Sequence, residues 1–163
     1  MQFFEAIQQV EQSDEFSVPE DAYLAHVFKM FDDANVAEWQ VGYYDPAEDE
    51  VIVFTVSPSG IRKNPPAEAF KRDERAIAPL DPSKLATAPK EAVSQAKELL
   101  AEKHPGHPPK QVILLAQTLD EFGQVYNITV VTETFHMYNV KLSTDSGAVV
   151  DERFDHLMSL KKE

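Results

Sequence analysis

The sequence predicts an α+β fold made of two units, each a helix packed on one face of an antiparallel β-sheet. Three observations carry that expectation. The runs VIVFTVSPSG (Val51–Gly60) and YNVKLSTDSG (Tyr138–Gly147) both alternate like half-buried strands and both stop at a Ser-Gly turn. A helix-like segment precedes each run, one opening Pro-Glu-Asp-Ala at Pro19 and the other Pro-Lys-Glu-Ala at Pro89. Between them the texture changes to a stretch with Pro65, Pro66, Pro79, Pro82 and Pro89, which ends helices and removes ladder donors. The expected layout is a first α+β unit over residues 1–78, a proline-rich connector over 79–88 and a second α+β unit over 89–163, an imperfect duplication.

Taken in order, Phe3, Phe4, Ile7 and Val10 recur at helical spacing and predict a short amphipathic helix over residues 3–12. SVPE (Ser17–Glu20) reads as a capping box with proline in the first turn, so a second helix is expected to run to about Asp33, with Tyr23, Leu24, Val27, Phe28 and Phe31 on its apolar stripe. EWQVGYY, the polar DPAEDE and VIVFTVS then form a hairpin, with Asp45-Pro46 starting the turn. A short element is expected around Glu68–Arg75. Ala92, Val93, Ala96, Leu99 and Leu100 mark a helix over Pro89–Lys103, with Thr87 as its N-cap and HPGHPP as its stop. Four strands follow in KQVILLAQT, QVYNITVVT, MYNVKLST and AVVDE, and the first of them lacks an obvious counterpart in the first half. DEFG and TDSG are turns that place glycine where a positive φ is needed. A short amphipathic tail, Phe154–Leu160, ends the chain.

Composition narrows the function. With 163 residues, 43% of them hydrophobic, and ten Phe, five Tyr and one Trp, the chain can build a core and is not a disordered segment. The absence of cysteine excludes disulfides, thiolate metal sites and a cysteine nucleophile. The N-terminal segment lacks the basic and continuous apolar regions of a signal peptide, and no stretch reaches the roughly 20 apolar residues of a membrane span, so a soluble cytoplasmic protein without membrane insertion is expected. The net charge is −13, and Lys29 is the only Lys or Arg between Glu5 and Glu50. Such a surface repels phosphates, which sets nucleic acid aside as a partner.

The second half, Leu85 to Leu160, resembles PepSY-like domains. The residues that carry the likeness are KLATAPKEAVSQAKELL, similar to that family's entry into its helix, and YNVKLSTDSGAVVDE. In the latter, Val140, Lys141 and Leu142 fill the strand, Asp145 and Gly147 occupy the turn, and Val149 and Val150 resume the chain. The first half matches less, because SPSG lacks the aspartate. The resemblance implies tandem PepSY-like or cystatin-like units, and for some members a role in restraining peptidases. The tandem is also similar in architecture to β-lactamase-inhibitor proteins, without a sequence match.

No motif with the spacing of a reaction appears. His104 and His107 in HPGH are two imidazoles where zinc needs three or four ligands. His26, His136 and His156 lack the partners of a triad. Asp45, Glu48, Asp49 and Glu50 lie in a loop that lacks the glycine of a calcium site. Asn127-Ile128-Thr129 matches a glycosylation sequon but falls mid-strand. The expectation is a non-catalytic binding or regulatory module with no cofactor and no metal, acting through protein–protein contact and inhibitor-like in kind. The partner's identity is unassigned, and a homodimer is left open. The alternative is a small ligand-binding or enzymatic cystatin-like protein with a pocket between helix and sheet. The residues expected to meet a partner are those that alternate away from the helices: Tyr44, Val51, Val53, Asn127, Thr129, Asn139 and Lys141. Trp39 with Tyr23, Phe28 and Phe31 is expected to form the first unit's core. The helix over 3–12 is expected to cover the apolar row of Tyr44, Val51 and Val53, unless a second chain does.

Overall fold

The structure, a computed structural model, describes residues 3–31, 38–68 and 77–160. Along the chain these form α1 (Phe3–Glu11), β1 (Tyr23–Phe31), β2 (Trp39–Asp45), β3 (Glu50–Ser57), β4 (Gly60–Lys63), β5 (Ala67–Glu68), a single 3-10 turn at Pro82–Lys84, α2 (Pro89–Lys103), β6 (Pro109–Leu119), β7 (Gly123–Thr132), β8 (His136–Ser143), β9 (Val149–His156) and α3 (Leu157–Leu160).

The strands make one nine-stranded sheet in the order β4-β3-β2-β1-β6-β7-β8-β9, with β5 also paired to β3. Every pairing is antiparallel. This corrects the expectation of two PepSY-like or cystatin-like helix-on-sheet units. The reason lies at the centre of the sheet, where Val27–Phe31 of β1 runs against Ala116–Val112 of β6. That ladder joins the two halves edge to edge. Val27, Val41 and Phe54 from one half and Leu114, Ile128 and Val140 from the other then belong to a single hydrophobic core.

Residues 23–31 are a strand and not the helix expected there. Ala25, Val27 and Lys29 are buried while their neighbours alternate to the other side. The aromatic and β-branched content suits a strand with a neighbour on each flank. SVPE opens no helix: the Ala22 amide donates to the Pro19 carbonyl at 3.0 Å, a turn that delivers the chain into β1. The element expected around Glu68–Arg75 lies outside the described residues, apart from Glu68 in β5.

Other elements form as their patterns predict. The β2–β3 hairpin pairs Trp39 with Val56 and Asp45 with Glu50, and the Asp45 carboxylate accepts from the Ala47 amide at 3.1 Å, an Asx turn. Helix α2 buries Ala92, Val93, Ala96 and Leu100 and starts with Pro89 in its first turn. Its N-cap is Ala88 and not Thr87. The Thr87 backbone is engaged elsewhere, its amide donating to the Thr144 carbonyl and its own carbonyl accepting the Tyr126 hydroxyl. Gly147, at φ 77°, closes the turn after β8 with its amide on the Ser143 carbonyl at 2.9 Å. Phe154–His156 extend β9, so the final helix is only Leu157–Leu160.

The connector is tied to the sheet. Leu80 is buried, its amide donates to the Leu24 carbonyl at 2.9 Å, and the Thr118 hydroxyl donates to the Pro79 carbonyl at 2.8 Å.

Both α1 and α2 lie on the same side of the sheet. Phe3 meets Trp39 edge-on at 4.9 Å and stacks on Tyr126 at 5.3 Å, so α1 also bridges the two halves. Trp39, Val41 and Tyr43 face this core as expected, and Phe31 packs at its margin. Tyr23 and Phe28 do not: Tyr23 pairs with Tyr44, and Phe28 with Gln40 and Leu115, on the opposite face. Helix α1 therefore does not cover Val51 and Val53. It needs a large apolar seat because nine residues are too few for a stable isolated helix, and the aromatic face of β2 and β7 provides one.

The open face of the sheet as candidate functional site

Strand alternation sets every second residue on the side away from the helices. Across β1, β3 and β6 these residues are Phe28, Met30, Val51, Val53, Ile113 and Leu115, all half-buried and none covered by another described element. Phe28 and Met30 form, with Glu38 and Gln40, the wall of a shallow hollow of about 120 Å³.

Across β6 to β9 the same face turns polar. The Asn127 side chain donates to Oε1 of the Gln117 side chain at 3.0 Å and accepts from Asn139 at 2.7 Å. Asn139 also donates to the Thr129 hydroxyl at 3.0 Å and accepts from the Lys141 ammonium at 2.7 Å. Lys141 pairs in turn with Asp151 at 3.3 Å and reaches over the Phe122 ring at 5.9 Å. Arg153 and Asp155 form a further ion pair on β9. Cations and carboxylates thus alternate along the rim, and the excess acid of the chain lies elsewhere.

At the middle of the face sits His26, opposite Gly42. A Cβ at residue 42 would lie 2.0 Å from the His26 ring, so glycine is what lets the imidazole lie on the sheet. Desolvation pushes its pKa down to about 4. His26 is therefore neutral at pH 7, and the centre of this face carries no charge.

Six of the seven residues expected to meet a partner share this surface: Val51 and Val53 on its apolar side, Asn127, Thr129, Asn139 and Lys141 on its polar side. Tyr44 lies on the same side, but its ring is buried against Tyr23 and its hydroxyl donates to Asp49. His26, Phe28 and Met30 were missed because residues 23–31 read as a helix, and Ile113 and Leu115 because the strand KQVILLAQT was given no partner in the first half. Once residues 23–31 are a strand, simple alternation finds the three of them that belong to it.

The helix–sheet space is filled. Tyr43, Tyr126 and Tyr138 point into it with their hydroxyls taken up at its margins, on the Glu11 carboxylate at 2.8 Å, the Thr87 carbonyl and the Glu152 carboxylate at 3.1 Å. Burial pushes all three phenols above the ordinary tyrosine range, with Glu11 and Glu152 adding to the effect on Tyr43 and Tyr138. Among the described residues no group of three or more His, Asp or Glu is placed to hold a metal ion, and no helix is long and apolar enough to cross a membrane.

Compared with known proteins, the chain matches no family model, no curated protein and no solved structure at a significant level.

Proposed function

We propose that this protein is a non-catalytic binding module that takes a protein partner on the open face of its sheet. The carrying observation is the half-buried apolar centre of Phe28, Val53, Ile113 and Leu115, over which no described element packs, beside the hydrogen-bonded row from Gln117 to Asp151. An apolar centre with a polar rim is the usual plan of a protein interface. The packed helix–sheet space supports this reading over a pocket that holds a small ligand. The resemblance of Leu85–Leu160 to PepSY-like domains fits a restraining, inhibitor-like role within the same proposal.

A photo-crosslinking residue at Leu115 tests it in the native host, against the same residue at Glu98 on the exposed flank of α2. The proposal expects a discrete adduct from residue 115 that is lost when Val53 is replaced by Glu. Equal adducts from both positions, or an adduct indifferent to Val53→Glu, would overturn it.

A further inference from the structure

Four of the five histidines, distant in sequence, converge at one corner of the molecule. His104 caps the end of α2, His107 follows in the loop, His136 begins β8 and His156 ends β9. Three of them share Phe154 on the edge strand β9 as a neighbour. His104 lies flat on the Phe154 ring at 3.9 Å and 7°, and His136 stacks on it at 5.0 Å and 10°. His107 leans on both His136, at 4.4 Å, and Phe154, at 5.2 Å, and His156 meets His136 edge-on at 4.7 Å. Thr134 ties the turn in, its hydroxyl 2.6 Å from Nδ1 of His107 and 3.2 Å from Nδ1 of His136. The imidazoles meet by faces and edges, and two of them share the Thr134 hydroxyl, an arrangement of packing and hydrogen bonding.

The corner fastens the end of the sheet. With the β8–β9 ladder, the Lys103–Glu152 pair and the Leu157 amide on the Phe135 carbonyl at 2.8 Å, these rings join β9 to α2 and to the β7–β8 turn. Few anions face them. From β9, Glu152 is near His104, but it already accepts from Lys103 at 2.7 and 2.8 Å and from the Tyr138 hydroxyl at 3.1 Å. Lys103 from α2 adds positive charge, Tyr138 from β8 is neutral, Glu133 in the β7–β8 turn is exposed, and Asp155 is on the opposite face with Arg153. One proton on a ring stacked against Phe154 is tolerated, since a cation sits well on an aromatic face. A second or third places imidazolium beside imidazolium.

We propose that this cluster is an acid-released clasp, in which neutral imidazoles hold β9 and α3 to the sheet and their protonation frees that edge. The direction follows from linkage. Desolvation holds His107 below its ordinary value, and His136 and His104 push it the same way. Through His107 the folded edge therefore binds fewer protons than the released one, and its stability falls as pH drops below the ordinary histidine value near 6.5. Release would also break the Lys141–Asp151 pair at the polar end of the open face.

Hydrogen exchange on the full chain, corrected for intrinsic rates, tests the clasp. Between about pH 7.5 and pH 5.5 the β9 amides of Arg153 to Asp155 should lose protection about tenfold or more, while β6 and β7 keep theirs. His136→Gln and His107→Gln, which cannot charge, should remove that difference. Protection in β9 that is unchanged by pH, lost in step with β6, or equally pH-dependent in both variants overturns the proposal. Proton NMR of the wild-type chain is the second arm and needs no variant. His107 is expected to titrate below the ordinary histidine value, and its titration at or above that value would overturn the proposal.

Discussion

The two faces of the sheet draw on the same strands and end in opposite conditions. On β3, Ile52 and Phe54 are shut away under the helices, while Val51 and Val53, one residue along, stay half-exposed. On β6, Leu114 is fully buried between the half-buried Ile113 and Leu115. Strand residues of equal hydrophobicity do not decide which face is covered. The aromatic seat does: Phe3 has Trp39 and Tyr126 to lie against on one side, whereas the other side sets Phe28 among aliphatic rows and a polar ladder, with Tyr44 already packed on Tyr23. The covered face thus holds the fold, and among the described residues no helix packs on the other.

The sharpest way to break this comparison is to truncate one phenylalanine on each face. Phe54→Ala should lower unfolding stability by about 3–5 kcal/mol in chemical denaturation, because the ring lies wholly inside the core beside Phe16 and Tyr43. Phe28→Ala should cost only about 1 kcal/mol, since its ring already meets water. Equal losses would show that both faces are structural and that the open one is covered in solution.

A smaller effect is expected at Gly42. Gly42→Ala drives a methyl into the His26 ring and should cost about 1–3 kcal/mol, as overpacking does. Trimming His26 to Ala in the same chain should restore most of it. The pair also carries a pH signature. His26 is neutral in the fold down to about pH 4 but takes a proton near its ordinary value when unfolded. Its contribution to stability is therefore whole above about pH 6.5 and is lost progressively as pH falls toward the folded value. Denaturation midpoints measured across that window should fall less steeply in His26→Ala than in the unmodified chain.

Much of the fold could be read from local pattern because local pattern was enough. Val51–Thr55, Tyr126–Val130 and Tyr138–Leu142 alternate cleanly, and the Pro89–Lys103 stripe is unmistakably helical. Residues 23–31 defeated the same reasoning. Tyr23, Leu24, Val27, Phe28 and Phe31 satisfy a helical period as well as a strand's, and SVPE supplied a false start. Long-range pairing decided the matter, since Val27–Phe31 is held by β6 from the far half of the chain. With β1 misread, the link between halves was invisible, and so was half of the open face. The polar half was accessible, because Asn127, Thr129, Asn139 and Lys141 follow from alternation alone. The histidine corner was only half visible: HPGH sets His104 and His107 together, but His136 and His156 join them only after the sheet closes.

The smallest expected effect separates a structural ladder from a contact surface. Asn139 stands at the centre of the row, bonded to Asn127, Thr129 and Lys141. If the row were buried, removing that amide would orphan three polar partners and cost several kcal/mol. On a half-open face, water can replace it, so Asn139→Ala should cost about 1 kcal/mol or less in thermal or chemical unfolding. Binding should respond differently. The row holds Lys141 in place between Asn139 and Asp151, and without its central amide the ammonium is freer to leave the face. Asn139→Ala should therefore weaken the Leu115 photo-adduct clearly more than it weakens the fold. A variant that unfolds several kcal/mol early would instead make this row part of the scaffold and confine the contact surface to Phe28, Val53, Ile113 and Leu115.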